Sequence, residues 1–237
     1  MTEQSNVSPQ RLARTAGVLY LAIIVIGGFG YFSGSSLLVP GDAAATAGNI
    51  LAAESTWRLA IAALLVMLVC DVALAVLLYV LFAPVSQTVA LLSLAFRLVH
   101  TSIQAVAVLA RVAPVLILRD LPAATAFSRD ELQALSRVSL RLFEQGFDIG
   151  LLFFGVDCLA VGWLIHRSRF LPRALGVGMT IAGSCYLADV VSGLLFPLLD
   201  VGFDIMWPGY VSELALCLWL VGVGLDEAAW RARVATR

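Results

Sequence analysis

"GFDIGLLFFGVDCLAVGWLIHRSRFLP", residues 146–172, decides the fold. Within it, residues 150–165 are apolar over most of the ~20 residues a helix needs to cross hydrocarbon. Yet Asp148 opens the run and Asp157 stands near its middle. A charged side chain at the centre of a bilayer costs about 3 kcal/mol by insertion scales. The two aspartates therefore need partners, protons or water.

They do not play one part. Nine residues at about 100° each leave them on opposite faces of a helix, so they cannot form a side-by-side acid pair. Asp148 shares a face with Glu144 near the helix start, where negative charge suits the helix dipole. Asp148 is expected at the outer water interface and Asp157 deep in the membrane.

The rest of the chain has the same character. Its 237 residues are 61% hydrophobic and 13% charged, with a mean hydropathy of +0.96. A soluble domain is nearer a quarter charged. The net charge of −1 gives no basic field for nucleic acid. All 15 residues of the Lys+Arg class are Arg, which fits a GC-rich bacterial genome and leaves no lysine nucleophile. Cys70, Cys158, Cys185 and Cys217 all lie in apolar runs, so no disulfide framework is expected.

Six segments are long and apolar enough to span: 16–39, 57–83, 86–118, 147–165, 171–198 and 208–225. The fold class is all-α: a polytopic membrane helix bundle with about six transmembrane helices and one amphipathic interfacial helix. The third segment exceeds a simple span and is expected to tilt, kink near Pro114 or project from the membrane. No small-residue cleavage site follows the first apolar run, so it is read as an uncleaved span.

Arginines set the orientation. Arg167, Arg169 and Arg173 lie in the short link after the fourth span. Arg11 and Arg14 precede the first, and Arg231, Arg233 and Arg237 follow the sixth. Six spans put these on one side, which the positive-inside rule makes the cytoplasm. The expected organisation is a cytoplasmic tail 1–15, a transmembrane domain 16–225 and a cytoplasmic tail 226–237, in a bacterial inner (plasma) membrane. Residues 40–56, the loop at Asp200 and Asp204, and the arginine-containing segment 119–145 then face outward.

"SRDELQALSRVSLRLFEQG" (128–146) has Ser128 three residues before Glu131, a capping-box pattern. Leu132, Leu135, Val138 and Leu142 recur at helical spacing. The segment is either an interfacial helix over about 128–145 or a plain connecting helix, with Gly146 expected to break or bend it. Gly30 and Gly34 in the first span have the spacing of close helix packing.

Ionisable residues inside spans are candidates for function by default. Here they are Asp71, Arg97, His100, Arg111, Asp148, Asp157, Asp189 and Glu213. Ser93, Arg97, His100, Thr101, Gln104 and Arg111 share one side of the third span, a stripe that must face the bundle interior. Tyr186 and Asp189 share a face of the fifth span, and Tyr210 and Glu213 a face of the sixth. By depth, Asp148, Asp189 and Glu213 fall toward the outside, and Asp71, Asp157, Arg97 and His100 toward the middle. Together they outline a cavity opening outward, with acids at its mouth and an Arg–His–Asp group at its floor.

Two accounts of these charges stay open. Arg97 can pair with Asp71 or Asp157 and fix helix register. But five acids against two arginines and one histidine leave carboxyls over, and a buried unpaired carboxyl stays protonated near neutral pH, ready to serve as a proton donor. No HxxxH, HExxH or diaspartate cluster points to a metal, no cofactor motif is present, and no Ser-His-Asp context surrounds His100.

"GFDIGLLFFGVDCLAVGWLIHRSRFLPRALGVGMTIAGSCYL" (146–187) resembles the signature of the bacterial multi-pass membrane family called domain of unknown function 4386, through Gly146, Phe147, Asp148, Gly155, Gly162, Arg167, Ser168, Pro172 and Gly176. "RLARTAGVLYLAII" (11–24) is similar to that family's start. The resemblance implies a multi-pass membrane protein and no particular activity. One position departs from the family pattern: a histidine commonly stands where this chain has Asp157.

Three functional readings follow. The first is a membrane-embedded acid/base enzyme, of isomerase or cyclase type, on a lipophilic substrate. Asp157, Asp189, Glu213 and His100 would be catalytic. Arg97, Asp71, Asp148, Trp163, Tyr186 and Tyr210 would bind or orient a membrane lipid or lipophilic small molecule, the aromatics shielding a cation. The second is a small proton-coupled transporter or channel with the third-span stripe lining its path. The third is a non-catalytic sensor or assembly partner.

Overall fold

The computed structural model describes residues 8–120, 127–196 and 205–236. Among these every regular element is helical: α1 Pro9–Ser35, α2 Ala43–Ala52, α3 Glu54–Phe82, α4 Gln87–Val115, α5 Arg129–Ser168, α6 Arg173–Leu195, α7 Trp207–Gly222 and α8 Glu227–Ala235. Five helices are long and apolar enough to cross a membrane, and six spans result if the α7–α8 pair, bent by 94°, counts as one. The all-helical, multi-span expectation is borne out. Asp200, Asp204 and Arg237 lie outside the described residues.

Large apolar side chains point outward: Phe32 and Val69 are each 72% exposed, while Asp71, Arg97, Arg111 and Asp157 are buried. Water would not tolerate that arrangement. Lipid favours it, because apolar faces cost nothing there and charges must be enclosed.

Three local expectations change. First, 129–145 is not a separate interfacial helix. α5 runs unbroken through Gly146 for 40 residues, about 60 Å at ~1.5 Å per residue, so it outreaches the hydrocarbon. Gly146 serves close packing instead of a bend: a Cβ there would meet the Ala107 Cβ at 2.8 Å. Leu135, Val138 and Leu142 face outward, while Ser136, Ser139, Leu140 and Phe143 are buried. The helix does start with the predicted box: Ser128 N donates to Glu131 Oε2 (2.7 Å), and Glu131 N donates to Ser128 Oγ (3.3 Å).

Second, α4 continues past Pro114 to Val115, then widens into a π-helical turn, Leu116–Asp120. Proline withholds the N–H of the α ladder, so regular α geometry ends just beyond it. Third, the sixth expected span stops at Gly222, and Gly224 takes a left-handed φ of 81°. Gln10 clamps this turn, its Nε2 donating to Val223 O (2.7 Å) and its Oε1 accepting from Leu225 N (3.0 Å). Residues 227–235, expected as tail, form α8, whose buried Trp230 donates through Nε1 to Leu81 O (3.0 Å).

The chain divides into two compact units. The first unit takes Met1–Ala22, Cys70–Thr101 and Gly150–Arg237. In it α5 and α6 approach at paired glycines. A Cβ on Gly162 would meet Gly176 O at 2.8 Å, and one on Gly155 would meet Gly183 O at 3.1 Å. Both pairs repeat every seven residues on helices of opposite direction, so small residues bring the two backbones together. The three arginine-bearing segments meet in this unit: Arg233 Nη2 donates to Arg167 O (2.8 Å), Asp226 N donates to Phe170 O (3.1 Å), and Gln10 holds the α7–α8 turn.

The second unit takes Ile23–Val69 and Ser102–Ile149. Its core joins Leu64, Leu68, Ala107, Val108 and Phe143, with a second cluster of Ile50, Trp57, Val115 and Leu140. Asp42 caps α2 by accepting from Ala45 N (2.8 Å).

Candidate functional site

The first unit gathers most of the intramembrane acids. Arg97 projects from α4 and is 2% exposed. Its Nε and Nη2 donate to Asp71 Oδ1 on α3 at 2.9 and 2.6 Å, and its Nη1 to Asp157 Oδ2 on α5 at 3.2 Å. Thr101 Oγ1 donates to Asp71 Oδ2 (2.5 Å), and Ser93 Oγ bonds Asp157 Oδ1. All four carboxylate oxygens thus have partners, as burial requires. Helical phase explains the set: Ser93, Arg97 and Thr101 follow one another at i, i+4 and i+8 on one face of α4.

Aromatic rings close over the cation. The Arg97 guanidinium lies 5.5 Å from the Tyr20 ring centroid and 5.2 Å from that of Phe154, within cation–π range. Tyr20 also extends the network. Its hydroxyl donates to Glu213 Oε2 on α7 (2.7 Å), and Tyr186 on α6 donates to Glu213 Oε1. One guanidinium, three carboxyls and two phenols therefore form a connected group in which carboxyls outnumber cations.

The expected residues distribute as follows. Asp71, Arg97 and Asp157 come together, and Glu213 and Tyr186 join them through Tyr20. His100 turns aside from the acids: its Nδ1 pairs with Gly150 O (2.9 Å), and its ring lies 4.9 Å from that of Phe154. Asp189 is half-buried on α6, its carbonyl accepting from Ser192 Oγ (2.9 Å). Tyr210 is exposed, 6.1 Å from Tyr186 and 6.4 Å from Trp207, ring centroid to ring centroid. Trp163 is exposed and carries the Arg167 guanidinium at 5.4 Å. Asp148 belongs to the second unit and is half-buried, with Gln145 Nε2 3.5 Å from its Oδ2. The contrast in burial between Asp148 and Asp157 agrees with their opposite helical phases.

Tyr20 and Phe154 were not among the expected site residues. Tyr20 left one signal, a phenol inside an otherwise apolar run. Phe154 left none, since an aromatic in a span is ordinary. Among the described residues no group of three or more His, Cys, Asp or Glu is arranged to hold a metal ion.

Fold and site together define a helical multi-span membrane protein with a buried acidic network. The family model for a domain of unknown function (DUF4386) matches residues 15–224, and the chain belongs to that family. A protein of Archaeoglobus fulgidus, described as an uncharacterized protein, is 26% identical over 161 residues, covering 68% of this chain and 81% of that one. No solved structure matches the chain.

Proposed function

We propose that the first unit carries an acid/base site for proton transfer on a lipophilic substrate, in an enzyme of isomerase or cyclase type. The surplus of carboxyls carries this reading. Arg97 is shared between Asp71 and Asp157, and Glu213 bonds two phenols, so one guanidinium stands against three carboxyls. Leaving all three ionised in a low-dielectric interior is costly, so a proton held on Asp157 or Glu213 is the cheaper state. A carboxyl that takes and returns a proton is what isomerisation or cyclisation needs.

Glu213 is the reachable acid. It is partly buried, oriented by two phenols, and sits on α7 with the exposed rings of Trp207 and Tyr210. Those rings suit an apolar substrate or a developing cation. Asp157 is the reserve proton site, Asp71 and Arg97 fix the charge around it, and Asp189 and His100 flank the network. A second reading has one observation in its favour. Tyr20 touches both Arg97 and Glu213, which suits a relay in a proton-coupled transporter.

The site would lie in a bacterial plasma membrane with both termini cytoplasmic, 1–15 and 226–237 flanking a transmembrane domain 16–225. The basic segments that meet at one end of the first unit support this orientation. Untargeted lipid analysis of cells expressing the wild type, Glu213→Gln and Asp157→Asn tests the enzyme. The wild type should yield a lipophilic product isomeric with its precursor, and Glu213→Gln should cut its formation by about a hundred-fold or more. Undiminished product from Glu213→Gln would remove the enzyme reading. Proton flux in proteoliposomes that stops in Glu213→Gln, with no lipid change, would favour the relay.

A further inference from the structure

The first unit has a second charged feature, on its surface. The segments 8–14, 163–173 and 224–236 carry seven arginines against two acids, Asp226 and Glu227, among the described residues. Both acids are engaged: Asp226 Oδ1 accepts from Ala229 N (3.0 Å), and Glu227 Oε2 from Arg231 Nη2 (3.4 Å). Among the described residues no carboxylate pairs with Arg11, Arg14, Arg167, Arg169 or Arg173, and all five are exposed. Like charges gathered on one face repel one another. The fold gathers them all the same. Arg233 Nη2 donates to Arg167 O (2.8 Å), Asp226 N donates to Phe170 O (3.1 Å), and the Phe170 ring stacks on that of Phe82, 5.8 Å between centroids.

Two further observations bear on this face. Arg169, in the link between α5 and α6, has a left-handed φ of 65°, the only such non-glycine residue among those described. Glycine adopts that conformation without strain, so an arginine stands where the backbone favours glycine. The neighbours set the level of the face. Arg14, Arg167 and Arg173 each lie four residues, one helical turn, from an exposed apolar side chain: Val18, Trp163 and Val177. The Arg167 guanidinium is 5.4 Å from the Trp163 ring centroid. α8 turns 94° away from α7, so it runs along the membrane surface that α7 crosses. Arginines one turn outside a lipid-facing rim, beside a tryptophan, stand at the headgroup layer.

We propose that this face binds anionic phospholipid headgroups, with Arg167, Arg169 and Arg173 at its centre. Guanidinium forks match phosphate oxygens, and clustered arginines beside a membrane attract anionic lipid. Both acids of the face are already bonded, so the ammonium of a zwitterionic headgroup finds no partner. A soluble acidic partner would need the cations on a surface clear of lipid, whereas these follow the lipid-facing rim. The face uses none of the residues of the proton site and does not rest on that reading.

The test uses the full chain, delipidated in detergent, with native mass spectrometry during titration with dioleoyl phosphatidylglycerol, dioleoyl phosphatidylcholine or inorganic phosphate. The wild type should bind phosphatidylglycerol in preference to phosphatidylcholine. The triple variant Arg167→Gln, Arg169→Gln, Arg173→Gln should lose that preference. Arg169→Gly relieves the backbone, so the fold is kept, yet it should weaken phosphatidylglycerol binding about five-fold. Arg58→Gln, at an exposed position of the second unit, should leave it unchanged. Equal binding of the two lipids by the wild type, or a preference that survives in the triple variant, would overturn the proposal. Unchanged binding in Arg169→Gly would remove Arg169 and the centre drawn around it. Inorganic phosphate that displaces the lipid at equal concentration would assign the face to a free anion and overturn the headgroup. If the triple variant does not fold, Arg169→Gly alone decides.

Discussion

Arg97 and Arg111 stand fourteen residues apart on α4, and both are buried. Arg97 spends its donors on two aspartates and sits between two rings. Arg111 sits between two rings as well, yet two of its three nitrogens find nothing among the described residues. Burial and aromatic contact are therefore not what separates them. The difference is whether a carboxylate bonds the guanidinium: Arg97 has two, whereas among the described residues Glu144 only lines the same cleft as Arg111. Arg97 uses its donors within one network, and two Arg111 nitrogens stay unbonded among the described residues.

The largest expected effect breaks that contrast at Arg97. Arg97→Leu leaves Asp71 and Asp157 buried without their cation and should destabilise by about 3–5 kcal/mol, read as a lower midpoint in detergent denaturation. Next come its partners. Asp71 takes two guanidinium N–H groups and Thr101, so Asp71→Asn should cost about 2 kcal/mol, against about 1 kcal/mol for Asp157→Asn. Equal losses would mean that the two aspartates share the charge evenly. The smallest effect is expected from Arg111→Leu. It gives up two cation–π contacts but removes orphaned donors, and should change stability by no more than about 1 kcal/mol. A loss as large as that of Arg97→Leu would show that Glu144 serves Arg111 as fully as Asp71 serves Arg97, and would end the contrast.

Much of the first unit's cluster was legible in the sequence. Ser93, Arg97 and Thr101 repeat at helical spacing, so their common face follows from phase alone. Asp71 and Asp157 were evident because hydrocarbon makes any carboxyl conspicuous. Their separate contacts with Arg97 needed the relative rotation of three helices, which periodicity does not carry. His100 shows the limit. It lies one turn from Arg97, so phase groups it with the acids, but its Nδ1 pairs with the Gly150 carbonyl and its ring packs on Phe154. Gly146 shows another: a glycine between amphipathic and apolar runs reads as a break, and only the close approach of Ala107 reveals it as a packing contact. The Arg111 cleft was invisible for a different reason. Its distinguishing feature is missing partners, and a sequence lists residues without listing what they fail to meet.

The central claim is that the carboxyl surplus holds a proton on Asp157 or Glu213 at about neutral pH. Infrared spectroscopy of the protein in nanodiscs, in H2O and in D2O, reads that proton as the carbonyl stretch of a carboxylic acid. The wild type should show the band and its deuterium shift, and the double variant Asp157→Asn, Glu213→Gln should lose both. A wild type without the band, or a double variant that keeps it, would contradict the account.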